Sequence, residues 1–245
     1  MERVVASLQQ TALRNTLIRQ LSPADFAALQ PHLHPIETRM REVLIAPNEP
    51  VRRLYFPESG FVSVVTAGRS RTEVGLIGSE GLVGASPVLL GAESTPHEHY
   101  VQGPGEALAI EAGRLVEAAE GSRAMRLLFL RFVQVLLVQT AQTAFVNATY
   151  QIEARLARWL LMCHDRTDGD EFPITHELLA LMLGVQRTSV TLALQSLEGH
   201  HLIRARRGRI TVLGRGALED LAGGAYGIPE AESARLFAGS GRPGA

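Results

Sequence analysis

The chain is poor in the residues that build covalent or metal-bound scaffolds. Its 245 residues include one cysteine, Cys163, and all 24 basic residues are arginine. A single cysteine excludes an intrachain disulfide, a Cys-x-x-Cys zinc site and a cysteine-ligated iron–sulfur cluster. Because Cys163 lies in a predicted helix, we expect its thiol to be buried and inert.

Long hydrophobic runs are absent too. No apolar stretch approaches the roughly 20 residues that a membrane-spanning helix needs. The N-terminus lacks the basic segment followed by an apolar segment that is typical of a secretory signal. We therefore predict a cytoplasmic protein that has no membrane partner.

Constellations for catalysis or metal binding are missing as well. No Ser/His/Asp set and no pair of acids suggests catalysis, so we expect no enzyme. His97 and His99 alternate along a predicted strand and could form half of a metal site. With no third ligand visible, two surface histidines are the preferred interpretation. Gly78, Gly81 and Gly84 do not make a phosphate loop, because no Gly-Lys-Ser/Thr follows them. We predict neither a metal nor a cofactor.

The net charge of −1 conceals an asymmetry between the two halves of the chain. Residues 1–121 carry ten arginines against 14 acids, whereas residues 122–245 carry 14 arginines against 11 acids. Residues 199–216 contain five arginines and no acid. A basic module joined to an acidic one indicates a nucleic-acid partner for the C-terminal half.

Residues 174–213 have the pattern of a winged helix-turn-helix. Thr175 can cap a first helix, and Gly184 can end it with a positive φ. The period of 3.6 places Leu178, Leu181, Met182 and Val185 on one buried stripe of that helix. In the second helix the apolar face comprises Val190, Ala193, Leu194 and Leu197. The opposite face is polar and short-chained, as a helix in the major groove requires.

A basic hairpin follows the two helices. With residues 207 and 208 as a two-residue turn, the cross-strand pairs are Ile203/Val212, Arg204/Thr211, Ala205/Ile210 and Arg206/Arg209. Arg207 is not the residue that a type I′ turn prefers, so the turn type stays open. Opposed arginines are destabilising unless an anion such as a phosphate lies beside them. A solvated basic hairpin is the alternative. The predicted DNA-binding residues of the whole motif are Thr175, Gln186, Arg187, Thr188, Ser189, Thr191, Leu192, Gln195, Arg204, Arg206, Arg207 and Arg209.

The N-terminal part alternates between short apolar runs and turn residues. A helical lead-in is predicted for residues 11–33. Six strands are then predicted, at residues 43–45, 54–56, 61–65, 74–77, 99–102 and 107–110. Many short strands at close spacing indicate a compact antiparallel barrel or roll.

A long helix is predicted from residue 122 to about 146. Its segment 127–138 is apolar nearly all round, and a single strand domain can cover only one side. We therefore predict that a second copy of the chain covers the rest. The expected dimer contacts are Leu127, Leu130, Gln134, Leu137, Val138 and Ala141. Gln134, Gln139 and Gln142 interrupt the apolar seam and could set its register. A further helix at 151–165 and a polar linker at 166–171 lead to the winged motif.

This order of parts resembles the Crp/Fnr family of bacterial transcription regulators. The sharpest likenesses are RLARWLL at 155–161, THELLALMLGVQRTSVT at 175–191 and LIRARRGRITVL at 202–213. EVGLIGSEGLVG at 73–84 is similar to the glycine-rich turns of the family's cyclic-nucleotide-binding fold. The resemblance implies an α+β chain. Its parts are a sensor β-roll of the jelly-roll type (1–121), a dimerisation helix (122–148), a winged helix-turn-helix (149–222) and a flexible tail (223–245).

The resemblance also implies roles for individual residues. Arg187 matches the recognition-helix arginine that reads guanine. Thr188 and Leu192 stand where the cyclic-AMP-responsive members carry glutamate and arginine, so we expect a different operator. Neither 84–86 nor 94–97 supplies the family's ribose-binding glutamate or phosphate-binding arginine. We therefore expect that cyclic AMP does not control this chain, and the lone Cys163 excludes control by an iron–sulfur cluster.

The expected partners are double-stranded DNA and a second copy of the chain. RNA polymerase is a further candidate, and the small-molecule effector is unknown. The alternative function is a non-catalytic sensor or adaptor that acts through protein contacts and keeps a vestigial winged helix. An adaptor has no need for five arginines within 18 residues, which favours the regulator.

Overall fold

A computed structural model of the chain describes residues 8–68 and 71–238. The N-terminal half contains two antiparallel sheets, with strand orders β1-β7-β3 and β2-β6-β4-β5. The strands are β1 (His34–Thr38), β2 (Val43–Ile45), β3 (Arg53–Pro57), β4 (Phe61–Thr66), β5 (Glu73–Ile77), β6 (His97–Gly103) and β7 (Gly105–Glu111). All six predicted strands are confirmed. Sequence reasoning missed β1, because this exposed strand contains Pro35 and lacks an apolar alternation.

Five helices accompany the roll. They are α1 (Thr16–Arg19), α2 (Pro23–Leu29), α3 (Ala85–Leu89), α4 (Ala112–Gly121) and α5 (Arg123–Thr149). The expected lead-in is thus two short helices, flanked by 3-10 turns at Gln10–Ala12 and Gln30–His32. Buried Asn15 caps α1 and ties it to the roll. Its side-chain oxygen accepts from Ile18 N, and its side-chain amide donates to the carbonyl of Pro57 at 3.1 Å.

Helix α5 closes the roll with one face. Ser122 caps it by accepting from the backbone N–H of Met125. Phe129 of α5 packs against Phe56 of β3, with ring centroids 5.9 Å apart. Both side chains are fully buried, so the interior of the roll is an apolar core. By length and composition alone α5 could cross a membrane, contrary to our prediction that no apolar run is long enough. A core helix buried on one face has the same composition.

Two of the three α5 glutamines do not lie on a dimer seam. Gln139 is buried, and its side-chain oxygen accepts from Leu76 N at 2.6 Å. The side-chain amide of Gln142 donates to the carbonyls of Gly224 and Ala225 at 3.1 and 3.3 Å. Both side chains satisfy backbone groups within the same chain. The expectation that they set a dimer register was therefore wrong.

The C-terminal half contains a three-stranded sheet, with strand order β8-β10-β9, and the four helices α6 to α9. Its elements are α6 (Ile152–His164), β8 (Glu171–Pro173), α7 (His176–Leu183), α8 (Arg187–Gly199), β9 (Ile203–Arg206), β10 (Arg209–Val212) and α9 (Arg215–Ala222). The prediction of a polar linker at 166–171 was wrong for the residues at both ends of that range. The side chain of Arg166 is 8% exposed and pairs with Glu80, and Glu171 begins a strand that pairs with β10.

The predicted flexible tail contains regular structure. A 3-10 turn at Gly223–Ala225 leads to α10 (Ile228–Phe237), which packs along α5. Gly227 and Glu230 form a capping interaction at its start. Composition suggested mobility, but the packing against α5 compensates the cost of ordering these residues. Residues 239–245 lie outside the described residues.

Glu73 is a buried carboxylate that links the two halves. It accepts hydrogen bonds from Ser63 Oγ at 2.7 Å and from Trp159 Nε1 of α6 at 2.8 Å. Burial raises the pKa of Glu73 to about 7, although these hydrogen bonds and the charges of Arg158 and Arg166 oppose the shift. The β-roll and the C-terminal half therefore share a carboxyl group that is only partly ionised near neutral pH.

Two further side chains lie deep in the fold. Cys163 is fully buried, and burial raises the pKa of its thiol, so the expected inert cysteine is confirmed. His99 is 4% exposed, because it pairs with Val64 in the middle of the sheet. Burial, reinforced by the charge of His97, lowers the pKa of His99 to about 4. The interpretation of His99 as a surface histidine was wrong.

Candidate nucleic-acid interface

Local capping sets the ends of the two central helices. The side chain of Thr175 accepts from Leu178 N at 3.2 Å, and Gly184 ends α7 with a φ of 62°. Both predicted signals are confirmed. Because a left-handed residue is cheap only for glycine, the chain can turn sharply here and start α8 at Arg187.

The buried stripe of α7 differs from the predicted one. Leu179, Met182 and Leu183 are buried, whereas Leu178 and Leu181 are only half-buried. These two leucines line a groove between α7 and the β-roll, beside Tyr100. Periodicity located the apolar residues correctly, but the neighbouring domain decided which of them are enclosed.

Helix α8 has the predicted two-sided character. Val190, Ala193, Leu194 and Leu197 are at most 2% exposed. The opposite face presents the predicted contact residues: Gln186, Arg187, Thr188, Leu192 and Gln195 are exposed, and Ser189 and Thr191 are half-exposed. Leu192 is 67% exposed, and no apolar surface in the described part of the chain covers it.

Arg187 is held by an acid of the preceding helix. Its Nη1 lies 2.9 Å from Oε1 of Glu177, and both side chains are more than 60% exposed. Backbone hydrogen bonding at the start of α7 lowers the pKa of Glu177, and Arg187 lowers it further. The ion pair thus orients Arg187 at the start of α8. Because both side chains are exposed, the pair can open at little cost in free energy.

The wing has the predicted register. Arg209 pairs with Arg206, Ile210 with Ala205, Thr211 with Arg204 and Val212 with Ile203. Within the turn, Gly208 has a φ of 74°, and Arg207 does not have a positive φ. A type I′ turn needs positive φ at both positions, so this turn is of another type.

One wing arginine has an internal partner. Arg209 Nη1 lies 2.7 Å from Glu171 Oε1 on β8, and its hydrogen bond lowers the pKa of Glu171. The argument that the Arg206/Arg209 pair needs an external anion is therefore weaker than the sequence suggested. Sequence reasoning missed this contact because the acid lies 38 residues away along the chain.

A groove of about 880 Å³ runs between the start of α7, the outer face of α8 and the wing. Six predicted DNA-binding residues line it: Thr175, Arg187, Thr191, Gln195, Arg206 and Arg207. Arg204 and Arg209 lie outside this lining, as do the four remaining predicted residues of α8 and its cap. His176, Glu177 and Glu198 also line the groove and were not predicted. His176 Nδ1 lies 3.2 Å from Thr191 Oγ1, a contact that depends on the angle between α7 and α8.

A second exposed surface lies on α5. Leu127, Leu137 and Phe145 are 44%, 55% and 51% exposed. The other predicted dimer residues share this face: Gln134 and Ala141 are exposed, and Leu130 and Val138 are half-exposed. Phe145 extends the apolar stripe towards the C-terminal half and was not predicted.

The region that corresponds to a nucleotide site is apolar. Gly84 begins α3 with a φ of 87°, and a Cβ placed there would meet Ile45 and Val51. Ala85 is 1% exposed and Thr95 is 8% exposed. No carboxylate or guanidinium is contributed by residues 84–86 or 94–97. The polar groups that a cyclic nucleotide needs are therefore not supplied from these two segments.

Comparison with known proteins gives the same two domains. Residues 35–122 match the cyclic nucleotide-binding domain family, and residues 154–221 match the Crp-like helix-turn-helix domain family. The global nitrogen regulator of Nostoc sp. is 27% identical over 216 residues, which is 83% of this chain and 93% of that protein.

Solved structures share the fold. A protein from Eubacterium rectale, described as a transcriptional regulator of the Crp/Fnr family, matches with a TM-score of 0.67 at 16% identity, over 85% of this chain and 98% of that one. FixK2 from Bradyrhizobium japonicum matches with a TM-score of 0.67 at 15% identity, over 78% of this chain and 98% of that one. Regulators of this kind bind DNA as dimers and are not enzymes. With the domain order, the helix-turn-helix and these relatives together, the chain belongs to the Crp/Fnr family of DNA-binding transcription regulators.

Proposed function

We propose that this chain works in the cytoplasm as a homodimer that binds an inverted-repeat operator. The observation that carries the proposal is the groove in which Arg187 of α8 and Arg206 and Arg207 of the wing lie together. A guanidinium at the start of a recognition helix suits the O6 and N7 atoms of guanine. Wing arginines suit the phosphate backbone, which carries no sequence information.

The exposed stripe of α5 supports the dimer. Leu127, Leu137 and Phe145 would cost free energy if they stayed in water. Leu127, Leu130, Gln134, Leu137 and Ala141 follow the alternating spacing of three and four residues that is typical of a two-stranded coiled coil. Burial against a second α5 would remove this cost and bring two copies of α8 into one assembly. A two-fold dimer then reads two half-sites of opposite orientation.

Leu192 and Thr188 supply the proposed difference in operator sequence. The exposed Leu192 can contact the methyl group of a thymine, and Thr188 can hydrogen-bond to either kind of base pair. Neither side chain can pair with guanine as an arginine does. We therefore expect one arginine–guanine contact in each half-site.

Selection of bound sequences from a random DNA pool tests the proposal. The expected outcome is an inverted repeat with half-site centres about 10 base pairs apart, bound by two chains per duplex in sedimentation. A single unrepeated site, or bound DNA with no common sequence, would contradict it. Footprinting of the selected operator with and without RNA polymerase tests the remaining candidate partner.

A further inference from the structure

A cavity of about 390 Å³ lies where four parts of the chain meet. Its walls come from the loop after β5, from α5, from the end of α6, and from α10 with the turn before it. The lining residues include Glu80, Phe132, Leu136, Arg166, Glu230 and Ser233. Its volume falls within the roughly 300–1,000 Å³ typical of small-molecule sites.

The floor of the cavity is apolar and stays open in the proposed dimer. Phe132, Val135 and Leu136 lie on the face of α5 that points towards the roll and α10. The exposed stripe that contains Leu127 and Leu137 lies on the opposite face. A second copy of the chain on that stripe would therefore leave the cavity accessible.

Most polar groups in the wall already have partners. Arg166 pairs with Glu80, with Nη2 and Oε1 2.7 Å apart, and its Nη1 donates to the carbonyl of Met162. Asp165 accepts from Tyr226 at 2.6 Å and pairs with Arg215 at 2.7 Å. The charges of these groups are compensated by partners within the wall. They therefore do not need a charged ligand.

Glu230 is different. Its carboxylate accepts the backbone N–H of Gly227 at 3.1 Å, and in the described part of the chain it forms no ion pair. Arg158 and Arg166 feel its charge at longer range. Arg166 is committed to Glu80, however, and Arg158 donates to Thr143 Oγ1 at 3.0 Å. Glu230 and the Ser233 hydroxyl, one turn further along α10, are thus left to receive a donor.

We propose that this cavity binds a small amine that has an apolar body. The body would lie on Phe132 and Leu136, and the ammonium group would donate to the Glu230 carboxylate and to Ser233. An anionic ligand would meet the Glu230 carboxylate, which no ion pair compensates in the described part of the chain, and be repelled. A ligand held here contacts the β-roll, the dimer helix and the DNA-binding half at once, which places it where it can bias their arrangement.

Calorimetric titration of the full chain with 2-phenylethylamine tests the proposal, with 2-phenylethanol and phenylacetate as matched neutral and anionic probes. We expect saturable binding of the amine at one site per chain, with a Kd of roughly 1 mM or tighter. The alcohol should bind at least about tenfold more weakly, because the charge-assisted hydrogen bond is lost. At equal concentration, amide resonances of α10 should shift most with the amine and should not shift with phenylacetate.

Two variants locate the site. Glu230→Gln keeps an oxygen for the Gly227 N–H but removes the charge, and it should weaken amine binding about tenfold. Ser233→Phe should fill the cavity and abolish binding. Glu120→Gln makes the same charge change on the exposed end of α4 and should leave binding unchanged.

The proposal is overturned by equal binding of amine and phenylacetate, or by full affinity in Glu230→Gln. It is also overturned if no member of a panel of aromatic amines shifts the α10 resonances. No DNA is present in these titrations, so their failure would leave the proposed operator binding standing.

Discussion

Arg187 at the start of α8 and Glu177 in the first turn of α7 form an ion pair with 2.9 Å between Nη1 and Oε1. The acid holds the arginine at the mouth of the groove in the free protein. In the proposed DNA complex a base edge or a phosphate replaces this partner. The pair therefore links the geometry of the motif to the strength of DNA binding.

Replacing Glu177 by Gln should strengthen binding to all DNA sequences. The change frees Arg187 and removes a negative charge from a groove that faces phosphate. An exposed ion pair is weak, so we expect a gain of at most about fivefold in affinity. Fluorescence anisotropy with operator and random duplexes measures it. Glu120→Gln is the matched control, and an equal gain in that variant would assign the effect to net charge alone.

Arg187→Ala and Arg206→Ala should have different effects on specificity. Loss of Arg187 should remove about 1–3 kcal/mol of discrimination at one base pair in each half-site. Loss of Arg206 should weaken operator and random DNA alike and reduce the dependence of affinity on salt. Competition titrations at several salt concentrations separate the two. Equal loss on both kinds of DNA for Arg187→Ala would count against base reading.

Leu137→Glu should dissociate the proposed dimer. The carboxylate would be buried without a partner in both copies, so we expect the dimer to weaken by at least about a hundredfold. Sedimentation velocity at micromolar concentration is the measurement. Leu90→Glu introduces the same group at a residue that is 63% exposed outside α5 and should change nothing. A monomeric wild-type chain would refute the dimer.

Stability near neutral pH should depend on Glu73. Its pKa is about 7 in the folded chain and 4.5 as a free side chain. Below pH 4.5 the carboxyl is protonated in both states, and its contribution to stability is complete. As the pH rises from 4.5 through 7 the unfolded chain ionises this carboxyl while the folded chain keeps it protonated, so about 3 kcal/mol of stability is lost over this range.

Urea denaturation of the wild type and of Glu73→Gln between pH 5 and 8 checks this prediction. His99 works in the opposite direction, because its lowered pKa costs stability as the pH falls. The informative quantity is therefore the difference between the two proteins. We expect Glu73→Gln to become relatively more stable as the pH rises, and a constant difference would rule out the titration.

Cyclic AMP and cyclic GMP should not act as effectors. Ala85 cannot accept a ribose hydroxyl, and Thr95 offers no positive charge to a phosphate. Titration of either nucleotide to about 1 mM should give no saturable heat and no change in operator affinity. Saturable binding that tightens the DNA complex would show that other residues of the roll hold the nucleotide.

Short-range patterns determined most of the DNA-binding motif. The Thr175 cap, the left-handed Gly184 and the alternation along the wing each act over a few residues, so reading them requires no knowledge of distant segments. The structure has the helix ends and the strand register that these patterns predict. The exposed residues of α5 also followed from its apolar period, because a single roll can cover only one face.

Tertiary structure decided which partner each polar residue has. Gln139 and Gln142 look like seam residues in a helical period, yet they bind the backbone at Leu76 and Gly224. The local sequence predicts that Glu171 belongs to a polar linker, but in the structure it begins a strand that pairs with β10. Residues 223–238 of the predicted tail are ordered because α10 packs against α5. In each case burial and hydrogen bonding with a segment far along the chain outweigh local preference, and only the fold brings those segments together.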